Sequence, residues 1–232
     1  MLAIIPARSG SKRMPNKNGK ILAGKPLIQH TLETAVQSKE ITRVLFTTDS
    51  QKYRDIALEV KGVEAPFLRP PELSSDTAQA ADVHFHAVDW IKNNEGREPE
   101  AFCVLLPTSP LRLEEDIDNA IALFKKKKAD VVASIVRTKP LAWHLNMDGQ
   151  TKKMVQLLKI DPKDAILNHQ EMPTPPVMLN GSIYVIRTAP YRRSRSYFGL
   201  STYGYEMPHT RSIDIDEVDD FLLAEALLKS RE

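Results

Sequence analysis

Two stretches at opposite ends of the chain carry residue types that can do chemistry on a polyanion. Near the start, Arg8-Ser9-Gly10-Ser11-Lys12-Arg13 leads to Lys17-Asn18, directly after the apolar run Ala3-Ile4-Ile5-Pro6-Ala7. Small residues let backbone amides come close to a ligand, and successive amides in a turn form a concavity for anions. Arg8, Lys12 and Lys17 add charge-assisted hydrogen bonds suited to phosphate oxygens, so a triphosphate is the expected guest. The pattern is neither the Walker phosphate loop nor the dinucleotide glycine fingerprint. Near the other end, Asp214 and Asp216 alternate with Ile213 and Ile215. On a strand both carboxylates face one side and both isoleucines the core. Two such carboxylates repel unless a cation lies between them, and Mg²⁺ suits the pair because it shares one or two carboxylates with substrate phosphates. An exposed strand, or Asp216 as a helix cap, accounts for the same residues without a metal.

Other candidates carry less. Asp49 ends an apolar stretch and either holds a second ion or a sugar hydroxyl, or forms an Asp-Ser turn or helix cap. His84 and His86 stand two apart on an expected helix, so they do not share a face and make a poor metal pair. Tyr191, Tyr197, Tyr203 and Tyr205 with Arg192, Arg193 and Arg195 have the composition of a nucleic-acid surface, but read better as a surface loop and edge strand.

Positioning these groups requires strands whose ends converge. The first apolar run reads as a strand buried on both faces, and Leu27, Ile28, Thr31, Leu32, Ala35 and Val36 recur at helical spacing after it. Arg43 to Asp49 reads as a second strand, with Ser50 capping a helix through Val60. Val63 to Leu68 is expected to be a strand. A loop over Arg69 to Thr77 follows, whose Ser and Asp residues are good caps for a helix running to about Asn93. Ala101 to Leu106 is a strand that empties into the polar loop Pro107-Thr108-Ser109-Pro110-Leu111-Arg112, ahead of an amphipathic helix with Ile117, Ala120, Ile121 and Phe124. Ala129 to Val136 is another buried strand. From Lys139 to Met178 the periodicity breaks down and an excursion from the core is expected. Strands at Asn180–Ile186 and Ser212–Asp216 and a helix from Glu217 to about Lys229 close the chain. The alternation predicts an α/β fold, a doubly wound and mostly parallel sheet with helices on both faces, in which ligands gather beyond the carboxyl ends of strands.

Composition sets the limits. A chain of 232 residues is expected to form one domain here, and 42% hydrophobic with 27% charged residues excludes disordered and fibrous classes. The start lacks a charged leader, and no apolar run approaches about 18 residues, so a cytoplasmic protein without membrane contact is expected. A single cysteine, Cys103, cannot close an intramolecular disulfide and reads as a buried strand position. The net charge of +2 gives no reason to expect a nucleic-acid partner. The basic cluster Lys125 to Lys128 reads as a solvated helix end.

Taken in order, the motifs resemble the acylneuraminate cytidylyltransferases, also called CMP-sialic acid synthetases. The resemblance rests on Ile5-Pro6-Ala7-Arg8-Ser9-Gly10-Ser11-Lys12 with Pro15, Lys17-Asn18 and Ala23-Gly24-Lys25-Pro26-Leu27. It continues through Arg69-Pro70-Pro71-Glu72-Leu73 with Ser75-Asp76-Thr77-Ala78, then Pro107 to Arg112, Asn180-Gly181-Ser182-Ile183-Tyr184, and Ser212 to Asp216. It implies a Rossmann-like nucleotidyltransferase fold and transfer of CMP from CTP to the anomeric hydroxyl of an acidic nine-carbon sugar, with release of pyrophosphate. By the same resemblance Arg8, Ser9, Gly10, Ser11, Lys12 and Lys17 hold the triphosphate, Asn18, Arg69 and Ala78 surround the cytosine, and Asp214 and Asp216 hold Mg²⁺. Thr108, Ser109, His169, Asn180 and Gly181 face the sugar, and residues 139–178 pair two subunits into a homodimer. The chain departs from the family at Arg13, where Gly is common, and at Leu106, where sialic-acid enzymes place Gln. It departs again at Ala142, His169 and Met178-Leu179. The nucleotide half matches better than the sugar half, which points to a legionaminic- or pseudaminic-type acid.

Overall fold

The computed structural model describes residues 1–139, 145–156, 176–198 and 201–231. The chain runs β1 (Leu2–Ala7), a short hairpin β2 (Ile21–Leu22) and β3 (Lys25–Pro26), α1 (Leu27–Gln37), β4 (Arg43–Thr48), α2 (Gln51–Leu58), β5 (Val63–Glu64) and α3 (Ala80–Glu95). It continues through β6 (Ala101–Leu105), α4 (Glu114–Lys127), β7 (Val131–Arg137) and a second hairpin, β8 (Leu145–Met147) with β9 (Met154–Gln156). The last elements are β10 (Val177–Arg187), α5 (Thr188–Ser194), β11 (Thr202–Glu206) and α6 (Val218–Lys229). Among the described residues no helix is long and apolar enough to cross a membrane.

Seven strands form one sheet in the order β11-β7-β10-β6-β1-β4-β5. All neighbours are parallel except β10, which is antiparallel to both β6 and β7. The two-residue period of β1 divides the core. Ala3, Ile5 and Ala7 pack under α1, α2 and α4, whereas Leu2 and Ile4 pack under α3 and α5. A third cluster of Met14, Leu22, Leu27, Leu111, Ile215 and Ala224 ties α6 to the first loop. The chain goes from β1 out to β4 and β5 on one side and returns to β6 on the other. The mouths of β1 and β6 are therefore the switch point of the sheet, where α/β folds leave a crevice.

Several expectations change in the folded chain. β5 is two residues long instead of running to Leu68, because Pro66 has no N–H to give to a ladder and Ala65 O accepts from Arg54 Nε at 2.7 Å. Ser212–Asp216 is an irregular segment outside the sheet, held to the loop after β6 by Ile215 N donating to Thr108 O at 2.7 Å. The edge strand is β11, which carries Tyr203 and Tyr205. Ser74, Ser75 and Asp76 do not cap α3, whose first flanking residue is Gln79. Ser50 does cap α2, accepting from Tyr53 N at 3.3 Å. Cys103 is fully buried in β6, and burial pushes its thiol up to about 12, so it is inert.

Candidate active site

The first loop leaves β1 with Asn18 Nδ2 donating to Arg8 O at 3.1 Å, and Asn16 in the left-handed region turns the chain into the short helix Lys17–Gly19. Tyr53 Oη donates to Asn16 Oδ1 at 2.8 Å and supports that turn. Asp49 is the other support. It accepts from Ser9 N at 2.9 Å and from Ser9 Oγ at 2.6 Å, which ties the mouth of β4 to the loop. Both donors of Ser9 are thus committed to Asp49, and Ser9 fixes the loop instead of offering its hydroxyl to a ligand.

The loop's four cations are held in two pairs. Arg8 Nη1 lies 2.9 Å from Asp76 Oδ1 and Lys12 Nζ lies 2.5 Å from Asp76 Oδ2. Arg13 Nη2 lies 2.8 Å from Asp216 Oδ2, and Lys17 Nζ lies 3.3 Å from Asp216 Oδ1. Lys17 is buried and also donates to Ile215 O at 2.5 Å, so it fastens the two chemical stretches of the sequence together. Sequence reading did not single out Asp76 for any role at the site. Its signal was an acidic residue in a loop otherwise matched only as a motif.

Three cavities hold the candidate residues. One, of about 420 Å³, is walled by Arg8, Ser11, Lys12, Lys17, Thr108 and Asp216. A second, of about 360 Å³, shares Pro6, Arg8, Asp76 and Leu106 with the first and adds Arg69, Ala78 and His84. A third, of about 820 Å³, lies on the other side of the 212–216 segment and is walled by Arg137, Lys139, Met178, Asn180, His209 and Asp214. Asp214 and Asp216 therefore line different cavities, where a strand reading puts them on one side. The segment between them is clamped by the fully buried Ile215 and acts as a partition.

The electrostatics follow from this placement. Asp214 keeps its carboxylate open to the large cavity while protein crowds it elsewhere. That desolvation raises its carboxyl above the usual range, a hydrogen bond from Thr108 opposes the shift, and the charge of Asp216 adds to it. Gly181 has φ of +74°, and a Cβ there would stand 3.3 Å from Asp214 Oδ2, so glycine permits the close approach. Asp216 caps no helix. Glu217 does so for α6, while Asp220 Oδ2 accepts from Asp216 N at 3.0 Å.

The remaining expected residues divide. Arg69 is buried and spends Nε on Ser74 Oγ at 3.0 Å, Nη1 on Thr47 O at 3.2 Å and Nη2 on Ala7 O at 3.3 Å, so it locks β1 and β4 at the cavity floor. Asn18 lines the cavity of the loop cations instead of the one holding Arg69 and Ala78, and its buried Oδ1 has no partner. Ser109 is fully buried with an unpartnered Oγ and lines none of the three cavities, so it does not face a ligand directly. Asn180 accepts from Ser134 Oγ at 2.5 Å and donates to Ser212 Oγ at 2.9 Å. Its amide therefore anchors the partition. Gly10 leaves open space where a Cβ would be, and Ser11 N donates to Ser9 O at 3.0 Å. His169 and Ala142 lie outside the described residues.

Arg112 is a structural residue that the motif does not reveal as such. It is buried, bonds to Ser182, to Thr31 Oγ1 at 2.8 Å and to Leu106 O at 3.1 Å, and its guanidinium is brought down to about 10 by burial. His84 is buried behind the small cavity with Nδ1 3.2 Å from Tyr191 Oη, and desolvation lowers it to about 4. His86 packs edge-on against Phe67, which agrees with structural roles for both histidines. Tyr191 and Tyr197 stack with ring centroids 5.5 Å apart, and Arg192 and Arg195 pair with Asp89, Glu98 and Asp82. Those two arginines are thus tied to α3 and the loop after it. Lys125 pairs with Glu40 at the solvated end of α4.

Comparison with known proteins agrees with this geometry. A family model described as cytidylyltransferase matches residues 2–225. The CMP-N,N'-diacetyllegionaminic acid synthase of Legionella pneumophila is 34% identical over 233 residues, 99% of this chain and 96% of that protein. The N-acylneuraminate cytidylyltransferase of Escherichia coli O18:K1:H7 is 34% identical over 97% of this chain, which spans only 51% of that longer relative. A pseudaminic acid cytidylyltransferase of Campylobacter jejuni is 28% identical, with 98% and 96% covered. Among solved structures, a CMP:2-keto-3-deoxy-manno-octonic acid synthetase complexed with CTP aligns with a TM-score of 0.69 at 16% identity, over 100% of this chain and 99% of that one. This last likeness speaks for the fold.

Proposed function

Because this chain belongs to the cytidylyltransferase family, we propose that it transfers CMP from CTP to the anomeric hydroxyl of a nonulosonic, sialic-acid-like sugar acid and releases pyrophosphate. The observation that carries this reading is the pair of adjoining cavities walled by Arg8 and Asp76, one with Arg69 and Ala78 and one with the loop cations, together with a third that begins at Asp214, two residues from the Asp216 of the second; they offer places for a base, a polyphosphate and a sugar acid. The cavity with Arg69 and Ala78 takes the cytosine. The middle cavity takes the triphosphate, with Arg8, Lys12, Lys17 and the loop amides neutralising charge on the departing pyrophosphate. The large cavity takes the sugar, where Lys139 and Arg137, the latter paired with Glu206 at 2.6 Å, put positive charge on the wall for its carboxylate.

Asp214 and Asp216 are the residues that would hold Mg²⁺. The donor chemistry fits: the pair offers hard oxygens, and although the two residues line different cavities, Asp216 lies near enough for its charge to act on the Asp214 carboxyl; a bound ion would have to share Asp216 with Arg13 and Lys17. Such a pair leaves coordination positions for phosphate oxygens and water, as Mg²⁺ prefers. When bound, the ion supplies Lewis acidity to a phosphoryl oxygen and acidifies a coordinated hydroxyl. The protein's own contribution is position. Thr108 and the close approach allowed by Gly181 fix Asp214, Lys17 and Arg13 fix Asp216, and the partition would set the sugar beside the triphosphate.

As acceptor we favour a legionaminic- or pseudaminic-type acid, since Met178 puts apolar surface on the wall of the large cavity where sialic-acid enzymes place a polar group. We also read the protein as a cytoplasmic homodimer joined through 139–178. The β8–β9 hairpin within that stretch supports a partner surface, exposing Met147 at 58% and Met154 at 63%. The decisive experiment incubates the protein with Mg²⁺, each of the four NTPs and a panel of nonulosonic and octulosonic acids, and follows pyrophosphate release and product mass. Release with CTP and a nonulosonic acid is expected. A chain that binds CTP tightly yet releases no pyrophosphate with any acid refutes the enzymatic reading.

A further inference from the structure

The pairing of Asp76 with two cations of the first loop is more than surface decoration. Its carboxylate spends one oxygen on Arg8 and the other on Lys12, and Arg8 Nη1 also donates to Ser75 O at 3.2 Å. These cations are two of the groups that a triphosphate needs. Asp76 also walls both the polyphosphate cavity and the base cavity, so it stands where a nucleotide passes from one to the other. A carboxylate offers a phosphate no hydrogen atom to share, and two anions cannot both own the same pair of cations without repulsion.

We propose that Asp76 is an internal anion that occupies the phosphate-binding cations at rest and is exchanged for the phosphates of the nucleotide. The inference rests on the nucleotide reading above. Asp76 lies between the short helix Pro71–Ser74 and α3, on a turn closed by Ala78 N donating to Ser75 O at 3.3 Å. Both ion pairs are half-open to solvent, with side-chain exposures of 40% for Arg8, 79% for Lys12 and 46% for Asp76, so exchange requires no unpacking of the core. At rest the pairing keeps the cations from splaying into water and holds the loop near its bound shape. After transfer the same carboxylate competes for Arg8 and Lys12 and so favours departure of pyrophosphate. The coupling is reciprocal: a bound anion weakens the hold of Asp76 on Arg8 and Lys12 by as much as that hold weakens the anion's binding.

The test is anion binding measured without turnover. Titration calorimetry with CTP and with inorganic pyrophosphate, in the absence of the sugar, compares the natural chain with Asp76→Asn and with Glu72→Gln, an exposed acid on the same segment. Asp76→Asn is expected to bind both anions roughly three- to tenfold tighter, the effect of removing two partly exposed competing ion pairs. Glu72→Gln is expected to match the natural chain. Unchanged or weaker binding in Asp76→Asn overturns the proposal, as weaker binding would make Asp76 a support for the cations instead of a competitor. Equal tightening in Glu72→Gln overturns it too, because the effect would then be long-range charge. If the natural chain binds neither anion, the nucleotide reading itself has failed; if it binds both and only the variant result is contrary, that reading stands without the exchange.

Discussion

Replacing Gly181 by alanine separates a backbone cost from a chemical one. Gly181 has φ of +74°, a left-handed conformation that costs a residue with a Cβ about 1–2 kcal/mol. For a chain of this length each kcal/mol lowers Tm by about 2–4 °C. The new methyl group would stand 3.3 Å from Asp214 Oδ2, with Asp214 Cγ and Leu106 Cδ1 both at 3.7 Å, so the carboxylate must yield by a few tenths of an ångström. Mg²⁺ accepts little deviation from ligand distances of about 2.0–2.1 Å, and disturbing a residue that positions a metal ligand costs about tenfold or more in affinity. Gly96 provides the control. It has φ of +73° at the end of α3 and nothing within 4 Å of an added Cβ, so Gly96→Ala incurs the backbone cost without touching the acid pair. Thermal unfolding of both variants is expected to show similar losses. Mg²⁺ titration of pyrophosphate release at saturating CTP, together with Mn²⁺ binding by electron paramagnetic resonance, is expected to shift about tenfold for Gly181→Ala and not for Gly96→Ala. An unshifted metal midpoint in Gly181→Ala with a normal loss of Tm refutes the argument that glycine is there for Asp214.

Three further outcomes follow from the same geometry. Lys12→Ala, on a side chain 79% exposed, is expected to slow pyrophosphate release about a hundredfold while leaving the urea midpoint unchanged; normal turnover would remove Lys12 from the triphosphate cradle. Arg13→Gly frees one oxygen of Asp216 from a competing cation and is expected to tighten Mn²⁺ binding by about two- to fivefold, whereas Asp216→Asn weakens it; identical metal isotherms for both variants would exclude Asp216 as a ligand. His84 is lowered by burial to about 4 in the folded chain against 6.5 when free, so its own contribution to stability is constant above pH 6.5 and is lost as pH falls towards 4, because only the unfolded chain takes up that proton. That contribution amounts to about 3 kcal/mol, and urea unfolding of His84→Gln is expected to show a shallower loss of stability between pH 6.5 and 4, the remainder coming from His30 and His86, which burial also lowers.

Short-range physics is written in the residues themselves. The apolar alternation of Leu2–Ala7, the helical spacing after Pro26 and the Ser50 cap each depend on neighbours a few residues away, and each element forms where those rules place it. The two chemical stretches were legible for the same reason, since cations among small residues and alternating Asp and Ile are local patterns. Tertiary structure decided the pairings. Lys17 reaches Ile215 across 198 positions and Arg8 reaches Asp76 across a gap no periodicity spans. Only the fold could show that Asp214 and Asp216 open onto separate cavities, that Asn180 and Arg69 lock the framework, and that β10 runs against its neighbours. A residue type states which bonds it can make; the closing of the sheet around β1 and β6 decides which of them it does make.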